Sequence, residues 1–84
     1  MKYFVYILRS EVDGCYYVGY THDLDLRLIH HNDGWTKSTK AKRPWSLVYS
    51  EEFGSKSDAI KREREIKRMK SRAYIESLIR QARG

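Results

Sequence analysis

Between Tyr16 and His31 the sequence YYVGYTHDLDLRLIHH gathers two adjacent tyrosines, a glycine, an arginine and three histidines. A guanidinium can bind the oxygens of an anion, and a phenol or an imidazole can move a proton; together they suit chemistry at a phosphate. Arg27 and His31 are four residues apart, so a helical period of 3.6 stacks them on one face, where both can reach one shared anion. Tyr17 stands two residues before Gly19. A glycine at the end of a strand admits a backbone or a ligand where a Cβ would block it, which places a phenol beside an opening.

The elements that must position these groups follow from periodicity. Cys15 to Tyr20 is rich in aromatic and β-branched residues and reads as a strand, whereas Asp23 to Asn32 reads as a short helix with Leu24, Leu28 and His31 in one stripe. Upstream, Lys2 to Arg9 is a near-continuous apolar and aromatic run, as expected of a central strand covered on both faces. Ser10 to Gly14 carries Asp-Gly before the next apolar run, which predicts an antiparallel hairpin. Tyr6 and Tyr17 could meet across it, but a loop of about five residues leaves the register open.

Asp33 to Pro44 is polar, basic and without periodicity, and reads as a loop. Trp45 to Glu51 alternates Trp45, Leu47 and Tyr49 against Ser46, Val48 and Ser50, which predicts a half-buried third strand at an edge. Ser55, with Asp58 three residues on, caps a helix expected to run to Met69. On it Ala59, Glu63 and Ile66 share a face, so Glu63 points to the core side and Glu65 to water. A carboxylate on an apolar stripe must be paired, protonated or bound to a cation, and an ion pair with Lys67 one turn on is the simplest of these. Tyr74, Ile75, Leu78, Ile79 and Ala82 form the apolar side of a final helix. The expected architecture is α+β: a three-stranded antiparallel sheet flanked by helices in the order ββαβαα, with residues 1–84 forming one small domain.

Composition narrows the partners. The lone Cys15 excludes an intramolecular disulfide, and with three irregularly spaced histidines it makes a structural zinc site a poor expectation; a reducing cytoplasm fits best. No apolar run reaches the roughly 20 residues of a membrane span, so no membrane partner is expected. Seventeen Lys and Arg against eleven Asp and Glu give a net charge of +6, and the excess is clustered. Lys37, Lys40, Lys42 and Arg43 occur with no acid among them, and Lys61 to Arg72 holds seven cations, Arg62 and Lys67 included, against Glu63 and Glu65. Such clusters suit a polyanion, because phosphate neutralisation releases counterions; a solvated helix face is the alternative.

In order along the chain, these residues resemble the signature of the GIY-YIG endonucleases. Phe4-Val5-Tyr6 stands where the family has its first tripeptide, with Phe4 in place of the glycine, and Tyr17-Val18-Gly19 stands where it has the second. Thr21, Asp23, Leu24, Arg27, Leu28 and His31 continue the match, as do Asn32 and Gly34. Ala59, Arg62, Glu63, Ile66 and Lys67 look like the segment that carries the family's acidic metal ligand. The likeness covers nearly the whole chain and is greatest to small single-domain members similar to the nicking domain of bacterial excision repair. It departs at Phe4, and at Tyr20, where the excision-repair relatives carry a lysine that assists catalysis.

The resemblance implies the same ββαβαα arrangement with Tyr6 and Tyr17 on one face. It also implies a metal-dependent endonuclease, structure-selective or non-specific, that hydrolyses phosphodiester bonds in nucleic acid; DNA is the expected substrate, and the sequence does not decide between DNA and RNA. In that reading Tyr17 or Tyr6 is the base that activates water, Arg27 binds the scissile phosphate, and Glu63 holds one Mg²⁺ or Mn²⁺. His31 contacts the phosphate or tunes a tyrosine, and no small-molecule cofactor is needed. A free phenol near pKa 10 is a poor base at neutral pH, so a nearby cation must favour its ionised form. Lys37, Lys40, Lys42, Arg43, Arg62 and Lys67 would hold the backbone, and Trp35 would stack on an unpaired base or anchor its loop. The rival is a nucleic-acid-binding module that keeps the fold without cleaving.

Overall fold

The computed structural model describes residues 1–83. Its elements are β1 (Tyr3–Ser10), β2 (Tyr16–Thr21), α1 (Leu24–Asn32), α2 (Lys37–Lys40), β3 (Trp45–Phe53), α3 (Lys56–Met69) and α4 (Arg72–Arg83). The sheet order is β2-β1-β3 with both pairings antiparallel, so β1 is central as its unbroken apolar run requires. Its alternate residues feed two separate cores. Val5 and Ile7 pack with Val18, Ala59, Ile66 and Leu78 beneath α3 and α4. Tyr6 and Leu8 pack with Trp45, Tyr17, Leu24 and Leu28 beneath α1.

The hairpin forms at the expected turn. Gly14 takes φ +75°, a left-handed conformation that suits glycine, and the Ser10 hydroxyl accepts from the Val12 and Asp13 amides at 3.1 and 3.4 Å. The resulting register sets Tyr6 opposite Gly19 and Leu8 opposite Tyr17, which puts Tyr6 and Tyr17 on one face. Ser55 caps α3 by accepting from the Asp58 amide at 3.3 Å, as the capping pattern predicts, and Asp23 caps α1 by accepting from the Leu26 amide at 3.0 Å.

Two local expectations are corrected. The stripe Trp45, Leu47 and Tyr49 is split, because Ile7 pairs with Tyr49 while Leu8 pairs with Leu47, leaving Val48 as an inserted residue. A bulge of one residue reverses the side-chain alternation, so Trp45 joins the α1 core and Tyr49 the α3 core. Asp33 to Pro44 is not all loop, since α2 forms within it and Thr39 is buried. Four residues are too few to show a helical period; what holds α2 is tertiary. The Trp45 indole donates to the Thr39 carbonyl at 2.9 Å, and the Asn32 amide grips the Trp45 backbone from both sides, accepting at 2.6 Å and donating at 3.1 Å.

Arg62 joins three elements on the far side of the sheet. Its Nε and Nη2 donate to the Glu51 carboxylate at 3.0 Å each, and its Nη1 donates to the Tyr74 hydroxyl at 3.1 Å and to Glu65. Glu65, expected to face water, is half-exposed and turned toward this guanidinium. Glu51 is held below the usual carboxylate range by Arg62 and Tyr49 despite its burial. The Arg62 and Glu51 side chains are 19% and 23% exposed, so breaking the pair strands a poorly solvated carboxylate. Arg62→Ala is therefore expected to lower stability by roughly 1–3 kcal/mol in urea unfolding, with Glu51→Ala recovering part of that loss in the double variant.

Candidate active site

The site starts from the close approach of two strands. Tyr6 lies directly across from Gly19, and its ring crosses the space a side chain there would fill: a Cβ on Gly19 would sit 2.5 Å from the Tyr6 hydroxyl oxygen and 2.7 Å from Cζ. The opening that Gly19 provides is thus occupied by the tyrosine of the neighbouring strand. This threads the Tyr6 phenol to α1, where its oxygen lies 3.0 Å from His31 Nε2 and 3.3 Å from Arg27 Nε. Arg27 and His31 share a helix face, as their spacing predicts, but what they meet in common is this neutral oxygen.

The direction of each hydrogen bond can be deduced. The Thr36 carbonyl only accepts, so the Thr39 hydroxyl 3.2 Å away donates to it. That leaves Thr39 Oγ1 to accept, at 2.8 Å, from His31 Nδ1–H. With its proton on Nδ1, a neutral His31 presents a lone pair at Nε2, and the Tyr6 O–H donates to it. The Tyr6 oxygen then accepts from Arg27 Nε–H. One polarised chain therefore runs Arg27 to Tyr6 to His31 to Thr39 to the backbone. Nothing in the local pattern singles out Thr39, because it reaches His31 only through the fold of residues 33–44.

Electrostatics keep that chain in one protonation state. His31 is fully buried, and burial, then the positive charges of Arg27 and His30, bring its pKa down to about 4. Burial also pushes the Tyr6 phenol up, against the lowering effect of its bond from Arg27. Arg27 is held charged chiefly by its hydrogen bond to Tyr6. Tyr6 is 2% exposed and spends its hydroxyl inside the chain, so it supports the site rather than meeting solvent. His31 likewise touches Tyr6 and Thr39, with no exposed surface for a phosphate.

Tyr17 is the half-buried phenol of the pair. Its ring stands edge-on to His31 at 4.9 Å between centroids, 6.2 Å from Trp45 and 6.4 Å from Tyr6. Lys67 Nζ lies 6.0 Å from the same ring, so α3 meets this face beyond the unpaired edge of β2. Glu63 comes with it: its side chain is 14% exposed, its carboxylate lies 3.1 Å from Lys67 Nζ, and its charge is close enough to help raise Tyr6. Tyr6, Tyr17, Arg27 and His31 are thereby brought together, and Glu63 is linked to them through Lys67. Beside them Tyr3, Tyr20, Thr21, His22, Arg27 and Lys56 line an open cleft, in which Lys56 is a cation that the pattern of residues does not single out.

Among the described residues no group of three or more His, Cys, Asp or Glu side chains could hold a metal ion. Glu63, paired with Lys67, is the candidate carboxylate for a cation there. That donor set fits a hard cation of the Mg²⁺ type, which keeps several waters and takes one or two carboxylates together with substrate phosphate oxygens. The expected backbone-binding cations are dispersed. Lys37 and Lys40 are exposed on α2, and Arg43 lies across Gly34. Lys42 Nζ sits 3.1 Å from both Asp13 and Cys15 on the hairpin turn, Lys67 pairs with Glu63, and Arg62 is committed to Glu51.

Two measurements check this geometry. Gly19→Ala must displace the Tyr6 ring, and is expected to cost on the order of 1–3 kcal/mol in unfolding experiments while breaking the Tyr6–His31 bond. The second is pH dependence. Because the folded pKa of His31 lies below its unfolded value of about 6.5, the unfolded chain takes up this proton first. Its contribution is complete above about pH 6.5 and is lost as the pH falls toward 4, by up to about 3 kcal/mol at about 1.4 kcal/mol per pH unit. Asp13, brought down to about 2, and Glu51 act below most of that window, so denaturant midpoints measured from pH 7 to 4.5 report mainly His31.

Comparison with known proteins supplies the context. Residues 2–75 match the family model described as the GIY-YIG catalytic domain. A UPF0213 protein of Staphylococcus saprophyticus is 49% identical over 67 residues, covering 79% of this chain and 80% of the relative. A UPF0213 protein of Staphylococcus epidermidis is 51% identical over the same shares. The solution NMR structure of a UPF0213 protein from Bacillus halodurans superposes with a TM-score of 0.62 at 39% identity, covering 96% of this chain and 85% of that one. With the family model spanning the whole sheet and the helices α1 to α3, the chain belongs to the GIY-YIG family, a family of nucleases.

Proposed function

We propose that this protein is a metal-dependent endonuclease that hydrolyses phosphodiester bonds in DNA, structure-selective or non-specific, and acts in the cytoplasm, in DNA repair. The observation that carries the reading is the convergence of a half-exposed phenol, a guanidinium and a nearly buried carboxylate at the edge of β2, around a hydrogen-bond chain that only orders them. Arg27 binds the non-bridging oxygens of the scissile phosphate through its Nη atoms, since its Nε is engaged by Tyr6. Tyr17 takes the proton of the attacking water, with the Arg27 guanidinium on the same face of the sheet. Tyr6 and His31 are positioning residues: they fix the angle from which Arg27 enters.

Glu63 would hold one Mg²⁺ or Mn²⁺, which when bound supplies a Lewis acid for the phosphate and the leaving oxygen. Lys67 releases Glu63 for this role and turns to the nucleic acid. Lys56 and His22 extend the cationic cleft along the strand from Arg27, in the region that Tyr20 also lines. Lys37, Lys40, Lys42 and Arg43 contact the backbone outside the site, which positions the substrate without reading its sequence. The binding module that does not cleave is favoured by one observation, the Glu63–Lys67 ion pair, which neutralises the carboxylate.

Nicking of supercoiled plasmid and cleavage of branched oligonucleotides separate the two readings. Wild type is expected to cut with Mg²⁺ or Mn²⁺ and not with EDTA, and Glu63→Ala and Tyr17→Phe to lose at least about 100-fold in rate. Salt-sensitive binding with no cleavage in any of the three proteins would establish the binding module instead.

A further inference from the structure

On the outer side of α1 the indole of Trp35 lies flat against the His30 imidazole, with centroids 4.0 Å apart and planes 6° from parallel. Trp35 is nonetheless 70% exposed. With one face covered by His30, that exposure must come from the other face and the edges. The pair is preformed rather than adaptable: the Trp35 amide donates to the His30 carbonyl at 3.0 Å, and Gly34 before it turns at φ +82°. The second possibility for this residue, a loop anchor, belongs instead to Trp45, which is 4% exposed and donates to Thr39.

Cations converge beside this surface. A Cβ on Gly34 would collide with Arg43 Nη1 and meet the Lys40 side chain at 3.3 Å, so both side chains pass the residue that precedes Trp35. Lys37 starts the adjoining helix, and none of the three forms an ion pair among the described residues; Asp33 is the acid in this stretch, and it is exposed. An open aromatic face flanked by unpaired cations is how single-stranded nucleic acid is held: bases stack on the ring while the cations follow the backbone. A duplex offers no free base face to such a ring. His30 and His31 are consecutive on α1, so their side chains diverge by about 100°. The platform therefore lies round one edge of the helix from the Tyr6–Arg27 site.

We propose that the His30–Trp35 pair is a stacking platform for one unpaired base of a DNA strand, which directs the enzyme to single-stranded or branched DNA. The proposal rests on reading the chain as a DNA nuclease, but it is tested by binding. Trp35 emission is the probe, with Trp45 as a buried constant background. In EDTA, so that nothing is cut, a short oligothymidylate is expected to quench the emission of wild type and not that of Trp35→Phe. An abasic oligomer of the same length and charge should not quench, and Trp35→Ala should bind the oligothymidylate about 10-fold more weakly while its affinity for blunt duplex is unchanged. Equal quenching by abasic and thymidine strands would overturn the proposal, as would a Trp35→Ala variant with undiminished single-strand affinity. Base-dependent quenching in a protein that never cuts would sink the nuclease reading and leave the platform standing. Cleavage of branched DNA without such quenching would do the reverse.

Discussion

The Tyr6–His31 hydrogen bond is the constraint on which the rest of the site depends. It joins the central strand to α1 through a fully buried imidazole, and each partner carries further requirements. On one side Tyr6 can reach across β2 only because Gly19 has no side chain. On the other, His31 can present a lone pair only because Thr39 accepts its Nδ1 proton, which in turn obliges residues 33–44 to fold back against the core. An unpartnered imidazole or phenol at this depth would cost roughly 1–3 kcal/mol, and among the described residues no fully buried side-chain polar atom lacks a partner. The tripeptides Phe4-Val5-Tyr6 and Tyr17-Val18-Gly19, which look independent in the sequence, thus meet at one contact.

The same bond separates support from chemistry. Burial raises the Tyr6 phenol and lowers the His31 imidazole, whereas Tyr17 is the more exposed phenol of the pair. The charges on α3 are divided in a comparable way. Arg62 and Glu63 are neighbours, but Arg62 turns to Glu51 on the far side of the sheet whereas Glu63 pairs with Lys67, whose ammonium lies 6.0 Å from the Tyr17 ring. One helix therefore clamps the α3 core with one residue and completes the α1 site with the next.

Much of this was legible in the residues themselves. The unbroken run of β1, the Asp-Gly turn, the Ser55 cap, and the shared face of Ala59, Glu63 and Ile66 are local signals, and each marks its element. The spacing of Arg27 and His31 correctly put them on one face. Their common partner could not be read, because it lies across the sheet on β1. The Val48 bulge and α2 were hidden for the same reason: a bulge is set by pairing with β1, and α2 by Trp45 and Asn32. Charge clustering alone did not distinguish Arg62, held in an ion-pair network, from Lys37 and Lys40, which face solvent.

The most direct test of this account is the protonation state of His31, read from the nitrogen chemical shifts of its ring as pH is lowered. The directed chain requires the Nδ1–H tautomer at neutral pH, persisting without titration down to about pH 4 to 5, with Thr39→Val disturbing the ring and Arg27→Met raising its pKa. An Nε2–H tautomer, or an imidazole that titrates near its ordinary value of about 6.5, would contradict the account. Tyr6 would then not be donating to His31, and the fixed approach of Arg27 would lose its basis.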